Sequence, residues 1–269
     1  MEFNNSEAQK LLASRASDYL SQADRGELVC GNFLTPQEAA YILSVFREMR
    51  ASERVFLFGG YLEAERKRIF VLPSFLSDFD GDGEEKAKTY FPEEFSVSVK
   101  AIKIQGSGFR ELFHRDYLGS ILSLGIDRCS VGDIAVQDKH SAVVFCTDKI
   151  FDYLLSSIDR IASDKVTVSE FLPDSDFGVK REYQPIRDTV ASERLDCVVG
   201  ALTNLSREKA QTLIRTGLCE VNYLQETRVD VSVKPPSVIT LRGYGKYDVL
   251  EFDGETKRGR LRIIAQKYV

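Results

Sequence analysis

Residues Arg194–Asn222 read RLDCVVGALTNLSREKAQTLIRTGLCEVN, a pattern that predicts two short helices followed by a strand. Ser206 is a favoured N-cap for the second helix, and Gly217 is a favoured stop because glycine adopts left-handed backbone angles at low cost. Further runs, SVITLRGYGKYDVLEF and RLRIIAQKYV, predict the strands of a small sheet after this stretch. The C-terminal region is therefore expected to fold as a compact α+β unit.

The second helix of this stretch carries a row of hydrogen-bond donors beside its apolar arc. The row is formed at four-residue spacing by Arg207, Gln211 and Arg215. Lys209 lies on the other flank of the apolar arc. A solvated helix face is the ordinary interpretation of such a row, although guanidinium groups along a helix are also suited to bidentate phosphate contact.

Charge is distributed unevenly along the chain. The formal net charge is -5, yet residues from Val190 onward carry 13 Lys and Arg against 10 Asp and Glu. Any anion-binding function is therefore expected to lie in the last third of the chain or in local patches elsewhere. The first residues, MEFNNSEAQK, lack a basic segment leading into an apolar run, and no run is long enough to span a membrane. These features predict a soluble, cytoplasmic protein without a membrane partner.

The sequence predicts three units. We expect an N-terminal α/β unit at residues 1–88, a central unit at 89–175 and the C-terminal unit at 188–269. In the first unit, Thr35 as N-cap, Pro36 and Glu38 predict the start of a helix. SDFDGDGEEKAKT is interpreted as a polar loop between the first two units, and LPDSDFGVKREYQPI as a hinge before the third.

The central unit is expected to follow the order β-α-β-β-α-β, which is the ferredoxin-like arrangement. Its first strand is predicted within FSVSVKAIKI, with a slip of the alternation near Ala101 that could be a bulge. RNA-recognition motifs share this sheet, but the sequence lacks their aromatic-rich signature, so base stacking on the sheet face is not supported. In the third unit, VDVSVKPPS is interpreted as a strand and a turn.

Catalytic and metal-binding motifs are incomplete. His114, Arg115 and Asp116 resemble a kinase catalytic loop, but the position that needs an Asn for magnesium is Ile121. The five cysteines are scattered, and there are only two histidines, so neither a metal nor a cofactor is predicted. Asp196 lies in an R-L-D triplet that resembles the pseudouridine synthase motif without its T-x-G-L continuation, and we interpret it as a structural residue at a helix start.

The C-terminal stretch resembles the S4 RNA-binding domain. The elements that carry the resemblance are S-R-x-x-A at Ser206–Ala210, I-x-x-G at Ile214–Gly217, and V-N at Val221–Asn222. GGYLEAERKR and FHRDYLGSILSLGIDRCSVGDI are similar to two internal signatures of YlmH-type proteins, which have relatives among photosystem-associated S4 proteins. With the C-terminal S4-like region, the resemblance covers nearly the whole chain.

The resemblance implies a non-catalytic factor of ribosome-associated quality control. Such a factor would bind large ribosomal subunits that carry an obstructed peptidyl-tRNA, contacting ribosomal RNA and tRNA. The implied RNA contacts are Arg194, Ser206, Arg207, Lys209, Gln211, Arg215, Asn222, Arg242 and Lys246. Weaker secondary candidates are Arg66, Lys67, Arg68, His114, Arg115 and Arg128.

Two alternatives remain open at the level of sequence. One is an RNA-modifying enzyme, of pseudouridine synthase or methyltransferase type, with an appended S4 domain. The other is a cell-division accessory protein. Other quality-control proteins or cell-division proteins are the further partners that the resemblance implies.

Overall fold

The computed structural model describes residues 6–174, 176–179 and 181–269. The chain divides into two compact units, Met1–Lys180 and Arg181–Val269, here called unit 1 and unit 2. Two of the boundaries predicted from sequence, at residues 1 and 175, lie outside the described residues. Helices and sheets occur in both units, so the fold is mixed α and β, as the sequence predicts.

Unit 1 contains two antiparallel sheets and the helices that pack on them. Its helices are α1 (Ser6–Ala23), α2 (Pro36–Glu48), α3 (Gly83–Tyr90), α4 (Pro92–Ser98), α5 (His114–Ser123) and α6 (Asp148–Ser157). Its strands are β1 (Val29–Leu34), β2 (Val55–Phe58), β3 (Lys67–Val71), β4 (Val99–Gly106), β5 (Val131–Asp138), β6 (Ser141–Thr147), β7 (Arg160–Ile161) and β8 (Asp164–Phe171).

The first sheet has the strand order β1-β3-β2 and packs against α1 and α2. The predicted start of α2 is confirmed, because the Thr35 side chain accepts a hydrogen bond from the Glu38 amide at 3.3 Å. In return, the Thr35 amide donates to the Glu38 carboxylate at 2.7 Å, which completes a capping box. These local bonds satisfy amide groups that the first turn of a helix leaves without partners.

The second sheet has the strand order β5-β6-β4-β8-β7, and α5 and α6 cover one of its faces. Apart from the two-residue strand β7, its elements follow one another in the order β-α-β-β-α-β. The other face is buried against side chains that include Phe33, Tyr61 and Phe177, and the Tyr61 ring stacks on Phe145 at a centroid distance of 4.9 Å. The face on which RNA-recognition motifs stack bases is therefore covered within unit 1.

Three local predictions for unit 1 differ from the structure. Residues predicted as a loop form α3, because the Asp82 carboxylate caps it by accepting a bond from the Glu85 amide at 2.9 Å. Within the predicted strand FSVSVKAIKI, the residues VKAIKI belong to β4, but the first four residues lie in the helix α4, where Phe95 and Ser98 face the core three residues apart. The slip near Ala101 is not a bulge, since β4 pairs with both of its neighbours without a shift in register.

Unit 2 is a six-stranded antiparallel sheet with two helices on one face. Its elements are β9 (Tyr183–Val190), α7 (Leu195–Thr203), α8 (Arg207–Arg215), β10 (Cys219–Val221), β11 (Leu224–Gln225), β12 (Ser237–Leu241), β13 (Gly245–Glu255) and β14 (Leu261–Tyr268). The strand order is β11-β10-β12-β13-β14-β9, so β9 lies at an edge. Both helices and most of the strands agree with the sequence.

Two differences in unit 2 affect the site. The stretch interpreted as a hinge ends within β9, since its last four residues, YQPI, begin this strand, which pairs with β14 along its whole length. The segment VDVSV is not a strand and forms only a single bridge between Ser232 and Arg194. Its carbonyl groups instead accept hydrogen bonds from the first amides of α7, from Leu195 to Val231 at 2.8 Å and from Asp196 to Val229 at 3.1 Å. A backbone segment therefore caps α7.

Candidate nucleic-acid interface

A buried carboxylate organises the basic residues of unit 2. Asp196 lies in the first turn of α7 and is 0% exposed. Its carboxylate accepts hydrogen bonds from Arg194 Nε at 3.1 Å and Arg194 Nη2 at 3.3 Å. It also accepts bonds from Arg207 Nε at 3.0 Å and Gln211 Nε2 at 2.7 Å. We call these four residues, Asp196, Arg194, Arg207 and Gln211, the Asp196 cluster.

The Asp196 cluster keeps its carboxylate ionised. Burial alone would raise the pKa of Asp196, but the hydrogen bonds donated by Arg194, Gln211 and Arg207 outweigh it and hold the pKa well below its usual range. The hydrogen bond between Arg194 and Asp196 also raises the pKa of the Arg194 guanidinium above its ordinary value. The Asp196 carboxylate and the Arg194 guanidinium are therefore both ionised at neutral pH.

Both arginines of the cluster remain accessible although one edge of each is fixed. The side chain of Arg207 is 61% exposed and that of Arg194 is 38% exposed. An arginine carries five N–H donors, and the bonds to Asp196 use two from Arg194 and one from Arg207. A guanidinium held in this way can present its other donors to a phosphate with less loss of side-chain entropy than a free one.

The other predicted residues of α8 divide into supporting and exposed side chains. Ser206 caps the helix, since its hydroxyl accepts a hydrogen bond from the Lys209 amide at 3.4 Å. Gln211 belongs to the predicted row of donors but turns inward to Asp196. Lys209 and Arg215 are exposed. The structure thus brings Arg194, Arg207 and Gln211 together and leaves Arg215 one turn beyond Gln211 on the same helix.

The remaining predicted residues of unit 2 lie on the sheet and its turns. Asn222 has a positive φ of 50° in the turn between β10 and β11, and its side-chain oxygen accepts a bond from the Val238 amide at 2.9 Å. The Lys246 ammonium lies 4.5 Å from the centroid of the Tyr268 ring and 5.1 Å from that of Tyr223. Arg242 is exposed in the turn between β12 and β13.

The basic run of unit 1 is largely structural. Arg68 is 4% exposed, donates to the carbonyl groups of Gly31 and Ser98, and lies 3.5 Å from Asp148. Arg66 donates from Nε to the Val131 carbonyl at 3.2 Å. These guanidinium groups satisfy backbone acceptors inside the unit, so their charge does not form an open basic surface. Lys67 is half-buried at the start of β3.

The other secondary candidates surround the start of α5 and the strand that follows it. Arg128 donates from Nη1 to the Val131 carbonyl at 2.5 Å, and burial, followed by the charge of Arg66, lowers its pKa to about 10. Partial burial of its ring, followed by the charge of Arg128, also lowers the pKa of His114. Arg115 is exposed, with its guanidinium carbon 5.5 Å from the centroid of the Phe113 ring. His114 and Arg115 are thus the exposed members of this set.

The two internal signatures meet in space through Asp133. Its carboxylate accepts a hydrogen bond from the Tyr61 hydroxyl at 2.7 Å. It also accepts bonds from the amides of Glu65 at 2.7 Å and Arg66 at 3.0 Å. Hydrogen bonds therefore hold the segment GGYLEAER, which lies between β2 and β3 of the first sheet, against strand β5 of the second sheet. Single-sequence reasoning missed this contact because the partners are more than 60 residues apart.

Across residues 6–174, 176–179 and 181–269, no group of three or more His, Cys, Asp or Glu side chains is arranged to hold a metal ion. Among the helices of the described part of the chain, none is both long enough and apolar enough to cross a membrane.

The fold and the site together define a mixed α/β protein of two compact units that carries an arginine cluster anchored on a buried carboxylate. Two family models match the chain: "YlmH, N-terminal" over residues 12–75 and "Putative RNA-binding domain in YlmH" over residues 92–173. Together they match more than half of the chain, and the chain belongs to the YlmH family.

Relatives of this chain include a curated protein and a solved structure. The Ribosome-associated protein quality control protein P2 of Bacillus subtilis (strain 168) is 26% identical over 238 residues, which are 88% of this chain and 86% of the relative. The structure of cell division protein ylmH from Streptococcus pneumoniae is 14% identical with a TM-score of 0.48, and the match covers 64% of this chain and 95% of that chain.

Proposed function

We propose that the chain is a non-catalytic RNA-binding factor that associates with the large ribosomal subunit and peptidyl-tRNA in the quality control of stalled nascent chains. The observation that carries this proposal is the Asp196 cluster, in which a fully buried carboxylate fixes two accessible guanidinium groups. Planar guanidinium groups with free edges are suited to bidentate contact with the phosphates of folded RNA.

Family membership supports RNA and the ribosome as partners. The B. subtilis relative is named as a ribosome-associated quality control protein, and one of the matching family models describes a putative RNA-binding domain. That model matches residues 92–173, which lie in unit 1, whereas the Asp196 cluster lies in unit 2. Both units are therefore assigned RNA contacts in this proposal.

Unit 2 supplies the principal contacts as an S4-type module. Its contact residues are Arg194, Arg207, Lys209, Arg215, Arg242 and Lys246. Ser206, Gln211 and Asn222 support that surface by fixing the start of α8, the Asp196 carboxylate and the turn after β10. Unit 1 adds the exposed His114 and Arg115 at the start of α5, while the side chains of Arg66, Arg68 and Arg128 serve packing.

Co-sedimentation with large ribosomal subunits tests the site. The double variant Arg207→Ala with Arg215→Ala is expected to lose salt-sensitive binding, because the slope of log K against log salt falls by about 0.7–0.9 for each phosphate that the protein no longer neutralises. The matched control, Arg228→Ala with Lys234→Ala, removes the same charge from exposed side chains of unit 2. Equal binding of the two folded double variants would refute the assignment to α8.

The non-catalytic part of the proposal has its own test. An RNA-modifying enzyme leaves a modification that disappears when its gene is deleted. Mass analysis of ribosomal and transfer RNA from a deletion strain is therefore expected to show every modification at its normal level. A modification that is lost on deletion and restored by the wild-type chain would show that the protein is an enzyme.

A further inference from the structure

A second basic element meets the Asp196 cluster at a cleft of about 370 Å³ in unit 2. The cleft lies between α7 and the edge strand β9, and the turn at residues 204–205 closes part of its wall. Arg207 and Arg260 both contribute to its lining. Arg260 belongs to the basic segment KRGRLR, residues 257–262, which covers most of the turn after β13 and the first two residues of β14.

Arg260 is fixed across the edge of the sheet. Its Nε donates to the Thr189 hydroxyl at 2.9 Å, and its Nη2 donates to the Thr189 carbonyl. Arg207 is fixed on the same cleft by its bond to Asp196. Each guanidinium is thus held by one edge, and these bonds use two of the five donors of Arg260 and one of the donors of Arg207.

From this geometry we propose that the cleft between α7 and β9 binds an RNA phosphate, with Arg207 and Arg260 as its donors. The proposal rests on the proposed function, and it extends the RNA surface from α8 to the β13–β14 hairpin. A volume of about 370 Å³ is within the range of small-ligand sites and can admit one nucleotide. The two fixed guanidinium groups would contact the RNA backbone beyond the phosphates that α8 contacts.

The acidic residues of the cleft do not cancel this charge. Asp196 is neutralised by its bonds to Arg194 and Arg207. Asp188 also lines the cleft, and one of its carboxylate oxygens accepts a bond from the Thr189 amide at 2.6 Å. Arg207 and Arg260 line the cleft with Asp188 and Asp196, and Arg194, which bonds Asp196 from outside the lining, gives this set of five groups one excess positive charge. The cleft therefore attracts an anion even though the chain as a whole is acidic.

The test compares the full-length wild type with Arg260→Gln and with the control Lys257→Gln. Lys257 is an exposed cation of the same hairpin that does not line the cleft. Binding to large ribosomal subunits purified from the source organism is measured over a salt series. Arg260→Gln is expected to weaken binding roughly 3- to 10-fold and to lower the salt slope by about 0.7–0.9, whereas Lys257→Gln changes affinity less than about twofold.

Further variants distinguish a failure of the cleft assignment from a failure of the proposed function. If Arg260→Gln binds like Lys257→Gln while Arg207→Gln binds weakly, the cleft assignment is wrong and the proposed function stands. If all of these variants bind as the wild type does, the proposed function fails as well. Arg260→Lys, which keeps the charge without the planar fork, is expected to give an intermediate loss and carries the test if the Gln variant does not fold.

A second arm distinguishes the source of the phosphate. A mononucleotide is titrated into the isolated wild type and into Arg260→Gln, with heat of binding as the readout. Weak or undetectable binding to both proteins is expected, because an isolated nucleotide lacks the other contacts of the RNA surface. Tight mononucleotide binding that Arg260→Gln abolishes, with unchanged subunit binding, would make the cleft a free-nucleotide site and overturn the proposal.

Discussion

Replacement of Asp196 by Asn tests whether the Asp196 cluster holds α7 and α8 together. Asparagine has nearly the same shape as aspartate, but it lacks the charge and places an N–H₂ group where one acceptor oxygen stood. Because Asp196 is fully buried, water cannot take over the missing bonds. The Asn variant is therefore expected to destabilise unit 2 without creating a cavity.

The expected loss of stability follows from the bonds involved. A hydrogen bond to a charged group contributes about 1.5–3 kcal/mol to the free energy of unfolding, and the carboxylate accepts four of them. The full sum is not lost, because the exposed parts of Arg194 and Arg207 return to water and the cost of burying the charge disappears. We expect a net loss of about 2–4 kcal/mol.

Urea unfolding followed by circular dichroism measures this loss. The control is Glu193→Gln, which weakens a surface pair with Lys234 at 2.8 Å and is expected to cost at most about 1 kcal/mol. A loss for Asp196→Asn no larger than that of the control would refute the view that this carboxylate is a structural hub.

Acid titration tests the sign of the electrostatic contribution that Asp196 makes to the free energy of unfolding. The folded-state pKa of Asp196 lies below its unfolded value of about 3.9, so its contribution is complete above that pH and is lost as pH falls through the folded-state pKa. The difference in stability between wild type and Asp196→Asn should therefore be full at neutral pH and shrink below about pH 4. A difference that grows on acidification would contradict this assignment.

Two further predictions concern backbone and thiol environments. In thermal unfolding, Gly60→Ala should destabilise unit 1 by about 2 kcal/mol or more, since the φ of Gly60 is +98° and the new Cβ would lie 2.4 Å from the Phe145 ring. Gly119→Ala should leave the stability unchanged or raise it, because there is open space around Gly119. Native alkylation at pH 8, read by mass spectrometry, should modify chiefly Cys129 and Cys197. The thiols of Cys30, Cys146 and Cys219 should stay unmodified until the chain unfolds, because burial raises the pKa of each to about 12.

Local signals in the sequence predict where helices begin. The caps at Thr35 and Ser206 involve residues only three positions apart, so their chemistry is contained in a short window. The strand prediction at Phe95 is wrong because two local signals compete there: FSVSV alternates like a strand, while the preceding Pro92 starts a helix. When local signals compete, packing decides between them, and packing is not visible in a short window.

Strand pairing explains why β9 was missed. Its sequence, YQPIRDTV, includes Pro185 and alternates weakly, as is typical of an edge strand. It becomes a strand by pairing with β14, whose residues are more than 70 positions away, for example Val190 with Leu261. The predicted start of the C-terminal unit at residue 188 would divide this strand.

The candidate site was predicted in composition but not in organisation. The resemblance and helix spacing indicate Arg194, Arg207 and Gln211, whereas the sequence indicates Asp196 only as a helix-start residue. Its partners stand 2, 11 and 15 positions away, a pattern without local periodicity. For the same reason, the sequence does not reveal that the guanidinium of Arg68, a secondary candidate for RNA contact, is buried against backbone carbonyls.

A carboxylate among arginines that bind RNA lowers the local positive charge, so its presence needs a compensating benefit. If charge alone governed affinity, Asp196→Asn would tighten binding to the large subunit, because one negative charge is removed beside Arg207. If positioning governs it, the variant should bind more weakly, because Arg194 and Arg207 lose the anchor that fixes their guanidinium planes. The fixed geometry of the cluster favours weaker binding, and tighter binding by a folded Asn variant would show that the arginines act as mobile charges.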